Sequence, residues 1–212
     1  MTNWEESKSI LNHHGAVGAE VPKPLMKWLR DNAMKAKKES IKSNADLVGH
    51  IREEYYYRNI PPAFEKFLMD KCLSQKNCLN YTKSLRFLSK SAPFYLHDLW
   101  VNFQKKYEFN PPHKHSGIYS FVIYLQIPFD LKKEEQIYPA VNHEGNNHTS
   151  KFAFVNVNTL GKVYCQCLAI DKSFEGKIIL FPSEQVHQVF PFYTSNKYRI
   201  SVSGNIRLKV CE

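Results

Sequence analysis

Tyr119-Ser-Phe-Val-Ile-Tyr-Leu125 is a run of aromatic and β-branched residues without glycine, proline or charge. Extended to Ile127 it is interrupted by Gln126 and is too short to span a bilayer as a helix. Residues of this kind favour a pleated, buried strand. On either side lie similar short segments: Leu99-Trp-Val-Asn-Phe-Gln104, Phe152-Ala-Phe-Val-Asn-Val157 and Lys162-Val-Tyr-Cys-Gln-Cys-Leu168. Lys177-Ile-Ile-Leu-Phe181, Gln188-Val-Phe-Pro-Phe192 and Tyr198-Arg-Ile-Ser-Val-Ser203 complete the set. Pro, Gly and Asn clusters separate them, and no helical spacers alternate with them. The pattern predicts an antiparallel sandwich or jelly roll and excludes a doubly wound parallel sheet.

Residues 1–95 read differently, as a helical extension packing on a β core over residues 96–212, an α+β chain overall. Pro22 and Pro24 suit a helix start, followed by Leu25, Trp28, Leu29, Asn32 and Ala36 at helical spacing. Lys35, Lys37, Lys38 and Lys42 lie mostly off that stripe, as on a solvated face. Pro61-Pro62 opens a second candidate helix with Phe64, Phe67 and Leu68, and Leu79–Leu88 is a third. His13-His14 reads as part of a mobile, solvated terminus and not as a metal site. Residues 142–150 read as a polar loop.

The net charge is +9, and the excess sits in residues 71–114, with 8 basic residues against 2 acidic. No Lys/Arg run there exceeds two residues, so nucleic acid is not favoured as a partner. Five cysteines read as reduced thiols, and the polar N-terminus has no secretory layout. A soluble, cytoplasmic protein is expected. Cys165 and Cys167 share a strand face and read as buried inert thiols, because no second pair has zinc-ribbon spacing.

The chemistry concentrates in Asn110-Pro-Pro-His-Lys-His-Ser-Gly117 and Gly176-Lys-Ile-Ile-Leu-Phe-Pro-Ser-Glu-Gln-Val-His187. On a strand, His113 and His115 project from one face, about 6–7 Å apart at Cα, and can converge on one transition metal. The same residues read equally as a proline-rich turn with exposed histidines. His187, among Val186 and Val189, reads as a core histidine or a ligand. Twelve residues later, Arg199 and Ser201 at i and i+2 could hold a carboxylate, or Arg199 could form an ordinary salt bridge.

This order of motifs resembles the Fe(II)/2-oxoglutarate-dependent oxygenases over about residues 97–208, and among them the oxygenases encoded by marine cyanophages. Asn44-Ala-Asp-Leu-Val-Gly-His-Ile-Arg-Glu-Glu-Tyr55 and Asn110 to Leu125 look like recurring segments of the phage-type proteins. The resemblance implies a double-stranded β-helix with Fe(II), 2-oxoglutarate as cosubstrate, O2 and a further substrate, in the host cytoplasm for a phage-encoded chain. It implies a hydroxylase that releases succinate and CO2. By resemblance His113 is the first ligand, His187 the distal one, and Arg199 with Ser201 binds the far carboxylate of 2-oxoglutarate. Tyr124 matches the tyrosine that assists this contact in prolyl hydroxylases. Asn102 matches an asparagine that contacts the cosubstrate in oxidative nucleic-acid demethylases, and Gln104 would line the same pocket.

One position departs from the family. His115 stands where the second ligand is usually Asp or Glu, and it is read as the third ligand. The alternatives are water or halide in its place, or a carboxylate folding in from Glu144 or Glu184. Two other functions compete: a three-histidine, oxoglutarate-independent dioxygenase, and a non-catalytic cupin-type binding or assembly protein.

Overall fold

The computed structural model describes residues 2–39, 49–85, 92–137 and 147–209. The leading segment forms helices α1 (Asn3–His13) and α2 (Lys23–Glu39) flanking strand β1 (Val17–Glu20), then β2 (Glu54–Tyr56). Helix α3 (Pro62–Phe67) runs into a π-helical turn, Leu68–Leu73, and α4 spans Lys76–Ser84. The remainder is β3 (Phe94–Gln104), β4 (Asn110–His113), β5 (Tyr119–Gln126), α5 (Leu131–Gln136), β6 (Phe152–Val157), β7 (Val163–Leu168), β8 (Lys177–Pro182), β9 (His187–Val189) and β10 (Arg199–Leu208).

The strands form a six-stranded sheet in the order β1-β8-β5-β10-β3-β2 and a four-stranded sheet in the order β4-β9-β6-β7. Every strand pair within them is antiparallel, consistent with a jelly-roll core. Period-two alternation divides the large sheet between two surroundings. Leu99, Val101 and Phe103 join Leu29, Phe64 and Leu68 in an apolar layer beneath α2 and α3. Trp100, Asn102 and Gln104 point the other way and line an interior cavity. Leu29, Phe64 and Leu68 are fully buried, each worth about 1.5–3 kcal/mol relative to an exposed side chain. Helix α2 buries Leu25, Met26, Leu29, Ala33 and Ala36, and exposes Lys35 and Lys38 as its spacing predicts.

Several local expectations are corrected. Strands β1 and β2 lie where only helix is predicted; each is short and recruited by an existing edge, β1 by β8 and β2 by β3. The terminus carrying His14 is docked, not solvated: Trp4 and Leu11 are buried, and His14 lies 2.6 Å from Gln166 Oε1 and 4.5 Å from the Phe154 ring. Strand β9 stops at Val189, before Pro191, which has no N–H to extend a ladder. Helix α5 stands between strands where no helical spacer is predicted, and Asp130 caps it by accepting bonds from Lys132 N and Lys133 N. The third helix runs Lys76–Ser84, earlier than expected, and its predicted end lies outside the described residues. Of the expected polar loop, residues 142–146 also lie outside them, while Asn147, Thr149 and Ser150 are buried. Cys165 and Cys167 are half-buried, with the Gln188 side-chain amide donating to Cys165 Sγ.

The segment that carries β2 is held by Glu53, which accepts a hydrogen bond from Tyr198 at 2.9 Å and pairs with Lys105 at 2.6 Å and with Lys37 of α2. Burial opposes its ionisation, but the bonds from Lys105, Lys37 and Tyr198 outweigh burial and lower its pKa to about 2.

Strand β10 lies centrally between β5 and β3, and Gly204 permits the close approach. A Cβ there would sit 2.6 Å from both the Asp98 carbonyl oxygen and the Phe121 ring. Because one obstacle is backbone, Gly204→Ala should destabilise the chain by about 1–3 kcal/mol or more. Urea unfolding followed by tryptophan fluorescence checks this; an unchanged midpoint would refute the tight fit.

Candidate metal and cosubstrate site

Pairing of β4 with β9 sets His113 opposite His187. Two residues past β4, His115 N donates to Ser183 O at 3.0 Å, which holds the chain against the turn that leads into β9. Three rings therefore meet, with centroid separations of 4.3 Å (His113–His187), 4.9 Å (His113–His115) and 5.1 Å (His115–His187). One nitrogen from each lies within 4.8 Å of the others. His187 is 3% exposed and is walled by Phe152 and Phe181 at 5.4 and 4.7 Å.

The hydrogen bonds select the free nitrogens. His113 Nδ1 lies 2.7 Å from Pro111 O, and His187 Nδ1 lies 3.0 Å from Gln185 O. A carbonyl oxygen can only accept, so Nδ1 carries the proton in both rings and Nε2 keeps its lone pair. Burial lowers the pKa of His187 far below its usual range, aided by His113 and His115. Burial also lowers the pKa of His113, and that of His115 to about 4, His115 being further lowered by His113. Three neutral imidazoles at pH 7 form a suitable donor set for a divalent first-row metal.

Arg199 opens β10 and reaches the same cavity. It is 1% exposed, and its Nε donates to Gln104 Oε1 at 2.8 Å. Nη1 donates to Ser150 O at 2.7 Å and Nη2 to Phe190 O at 2.8 Å. Burial lowers its pKa to about 10, opposed by Tyr124 and Glu134, so it stays cationic at pH 7. Tyr124, pushed up to about 12 by burial, lines the cavity with Ser201, Asn102 and Gln104. Asn102 accepts from Trp100 Nε1 at 3.0 Å and donates to Ser201 Oγ at 3.3 Å, so the Ser201 hydroxyl is held by a neighbour and not by Arg199.

The eight residues singled out from the sequence thus line one cavity. Glu184 does not join them: it pairs with Lys114 at 2.5 Å and is exposed, so it supplies no carboxylate to the histidines. Glu144 lies outside the described residues. Glu54 is a cavity residue that spacing alone did not reveal. It is 3% exposed and faces Asn102 across the β2–β3 pair. Its only sequence signal is an acidic residue directly before Tyr55-Tyr56-Tyr57, in a stretch destined for burial.

Two antiparallel sheets with three imidazoles converging between them form a candidate metal site, in an arrangement consistent with a jelly-roll core. A family model described as "Putative 2OG-Fe(II) oxygenase" matches residues 98–205, and the chain belongs to that 2-oxoglutarate- and Fe(II)-dependent oxygenase family. A prolyl-4-hydroxylase from Pseudomonas putida shares the fold with a TM-score of 0.55 and 16% identity, over 97% of this chain and 99% of that one. An oxidoreductase of the 2OG-Fe(II) oxygenase family from Burkholderia pseudomallei gives 0.52 and 13%, over 96% and 89%. A Trichoplax adhaerens prolyl hydroxylase, solved with a peptide fragment of the hypoxia inducible factor oxygen degradation domain, gives 0.51 and 12%, over 98% and 93%. No curated protein matches the chain. No helix among the described residues is long and apolar enough to cross a membrane.

The buried imidazoles carry a consequence for stability. Their folded pKa values lie below the unfolded value of about 6.5, so the unfolded chain takes up protons first as pH falls. Their contribution to stability is intact above that pH and is lost progressively toward pH 4. The melting temperature of metal-free protein should fall across this window, and His115→Asn should flatten the fall. An equally steep profile in that variant would contradict the assignment.

Proposed function

We propose that the chain is an Fe(II)- and 2-oxoglutarate-dependent hydroxylase, with a double-stranded β-helix core over residues 96–212 and an N-terminal extension over residues 1–95. The supporting observation is the convergence of His113, His115 and His187 in a cavity that also contains the buried cation Arg199. His113 and His187 would bind the metal through Nε2, their orientation set by the bonds at Nδ1, and His115 would complete the face. Iron with 2-oxoglutarate and O2 supplies the oxidant for a substrate C–H bond, with succinate and CO2 released.

The chain's own groups do the rest. Arg199 has five N–H donors, and three are directed to Gln104, Ser150 and Phe190. The others remain for the far carboxylate of the keto-acid, with the Tyr124 and Ser201 hydroxyls beside them. Gln104 positions the guanidinium, and Asn102 positions Ser201. Phe152 and Phe181 exclude water from the distal ligand, which strengthens every electrostatic contact inside.

A second reading, a three-histidine dioxygenase that needs no oxoglutarate, draws support from His115 and from the protein bonds already made by Arg199. Anaerobic titration separates the two. His187→Ala should abolish stoichiometric Fe(II) binding while the far-UV spectrum is kept, and undiminished metal content would sink both readings. Charge-assisted bonds are worth about 1.5–3 kcal/mol each, so Arg199→Ala should weaken 2-oxoglutarate binding about tenfold or more. Arg199→Lys should recover only part of this, lacking the planar fork. Unchanged oxoglutarate affinity in the alanine variant would favour the second reading.

A further inference from the structure

Replacing the usual carboxylate ligand by His115 changes the charge of the centre. Two imidazoles and one carboxylate leave a divalent metal with a net charge of about +1, whereas three neutral imidazoles leave it about +2. Arg199 adds another positive charge, and a bound dicarboxylate removes two. A family-typical site would then reach neutrality overall, and this one would retain a buried positive charge, which is costly in a water-poor cavity.

Among the described residues that line the cavity, Glu54 is the one carboxylate. Its placement is structural and not incidental. Strand β2 sits beside β3 with Glu54 opposite Asn102, which puts both side chains on the interior face. The segment before it is tied to both neighbours: Phe103 N of β3 donates to Glu53 O at 2.8 Å, and His50 N donates to the carbonyl of Phe109, just before β4, at 2.9 Å. Glu54 is thereby held on the edge strand of the large sheet, beside the segment that leads into the strand carrying His113. The same cavity is lined by His113, His115, His187 and Arg199, and Glu108 lies near enough to act electrostatically on the buried acid. Burial, with a smaller contribution from Glu108, raises the Glu54 pKa to about 7, which disfavours the anion; a positive charge within reach would favour it.

We propose that Glu54 supplies, from outside the ligand set, the negative charge that His115 withdraws from it. The site is then a three-imidazole centre compensated by a buried carboxylate on the neighbouring strand. This rests on the reading that the histidines hold a divalent metal.

The test is calorimetric titration with Co(II) alone, whose visible bands also report coordination, on chains first compared by thermal unfolding. The unaltered chain should bind one Co(II). Glu54→Gln should weaken binding roughly tenfold, the order expected for one unscreened charge in a partly buried site, and Glu54→Asp should stay within about threefold. In a His115→Asp background the charge is already in the ligand set, so Glu54→Gln should cost little. An equal loss in both backgrounds, or none in either, would overturn the proposal. Should Glu54→Gln not fold, His115→Asp alone decides: affinity within about threefold of the unaltered chain supports compensation, and a gain of about a hundredfold refutes it. Absence of Co(II) binding by both the unaltered chain and His115→Asp would instead overturn the metal reading itself.

Discussion

Burying a guanidinium costs several kcal/mol unless its donors are met, and Arg199 is a fully buried guanidinium. Its three bonds reach three separate parts of the chain. Gln104 lies beside it on the large sheet, Phe190 follows β9, and Ser150 precedes β6 in the small sheet. One cation therefore joins the two sheets at one end of the cavity. The Phe129 and Phe192 rings, 5.8 and 5.6 Å from its central carbon, form the apolar part of that setting. Gln104 is in turn held by Glu108 O at 2.5 Å, so the support extends to the turn between β3 and β4.

At the other end the constraint is strand pairing. His113 and His187 meet because β4 and β9 are paired in that register, and a slip of one residue would send a ring to the opposite face. His115 lies beyond the strand and is brought in by its backbone bond to Ser183. Ser183 is buried, and its hydroxyl meets Ser120, which bonds to Asn205 of β10. The third imidazole is thus tied through a short polar chain to the same central strand that begins with Arg199. The two ends of the cavity share β10.

The leading segment is part of this design in a way that its composition does not suggest. Helices α2 and α3 cover the outer face of the large sheet, while β2 extends its edge and turns Glu54 inward. Glu53, one residue earlier, points the opposite way into a cluster with Lys37, Lys105 and Tyr198. The acid just before β2 and the acid that opens it thus serve different purposes, one anchoring the strand and the other reaching the cavity, as alternation along extended backbone requires.

Much of this was legible in the chain. Aromatic and β-branched runs broken by Pro, Gly and Asn determine the strands, and helical spacing determines α2, because local burial patterns repeat with the period of the element. The family resemblance carried by the ordered motifs singled out the cavity residues. Pairs such as Asn102 with Gln104 and Arg199 with Ser201 reach the cavity together because strand residues two apart share a face. Other features depend on partners distant in sequence. Strands β1 and β2 are too short to declare themselves and exist because an edge recruits them. Arg199 turns out to bridge two sheets, which no local pattern records. Glu54 reads locally as one surface acid among 20 acidic residues, and only the pairing of β2 with β3 turns it inward. Local periodicity dictates which face a side chain takes; which face becomes the interior is decided when the sheets close on one another.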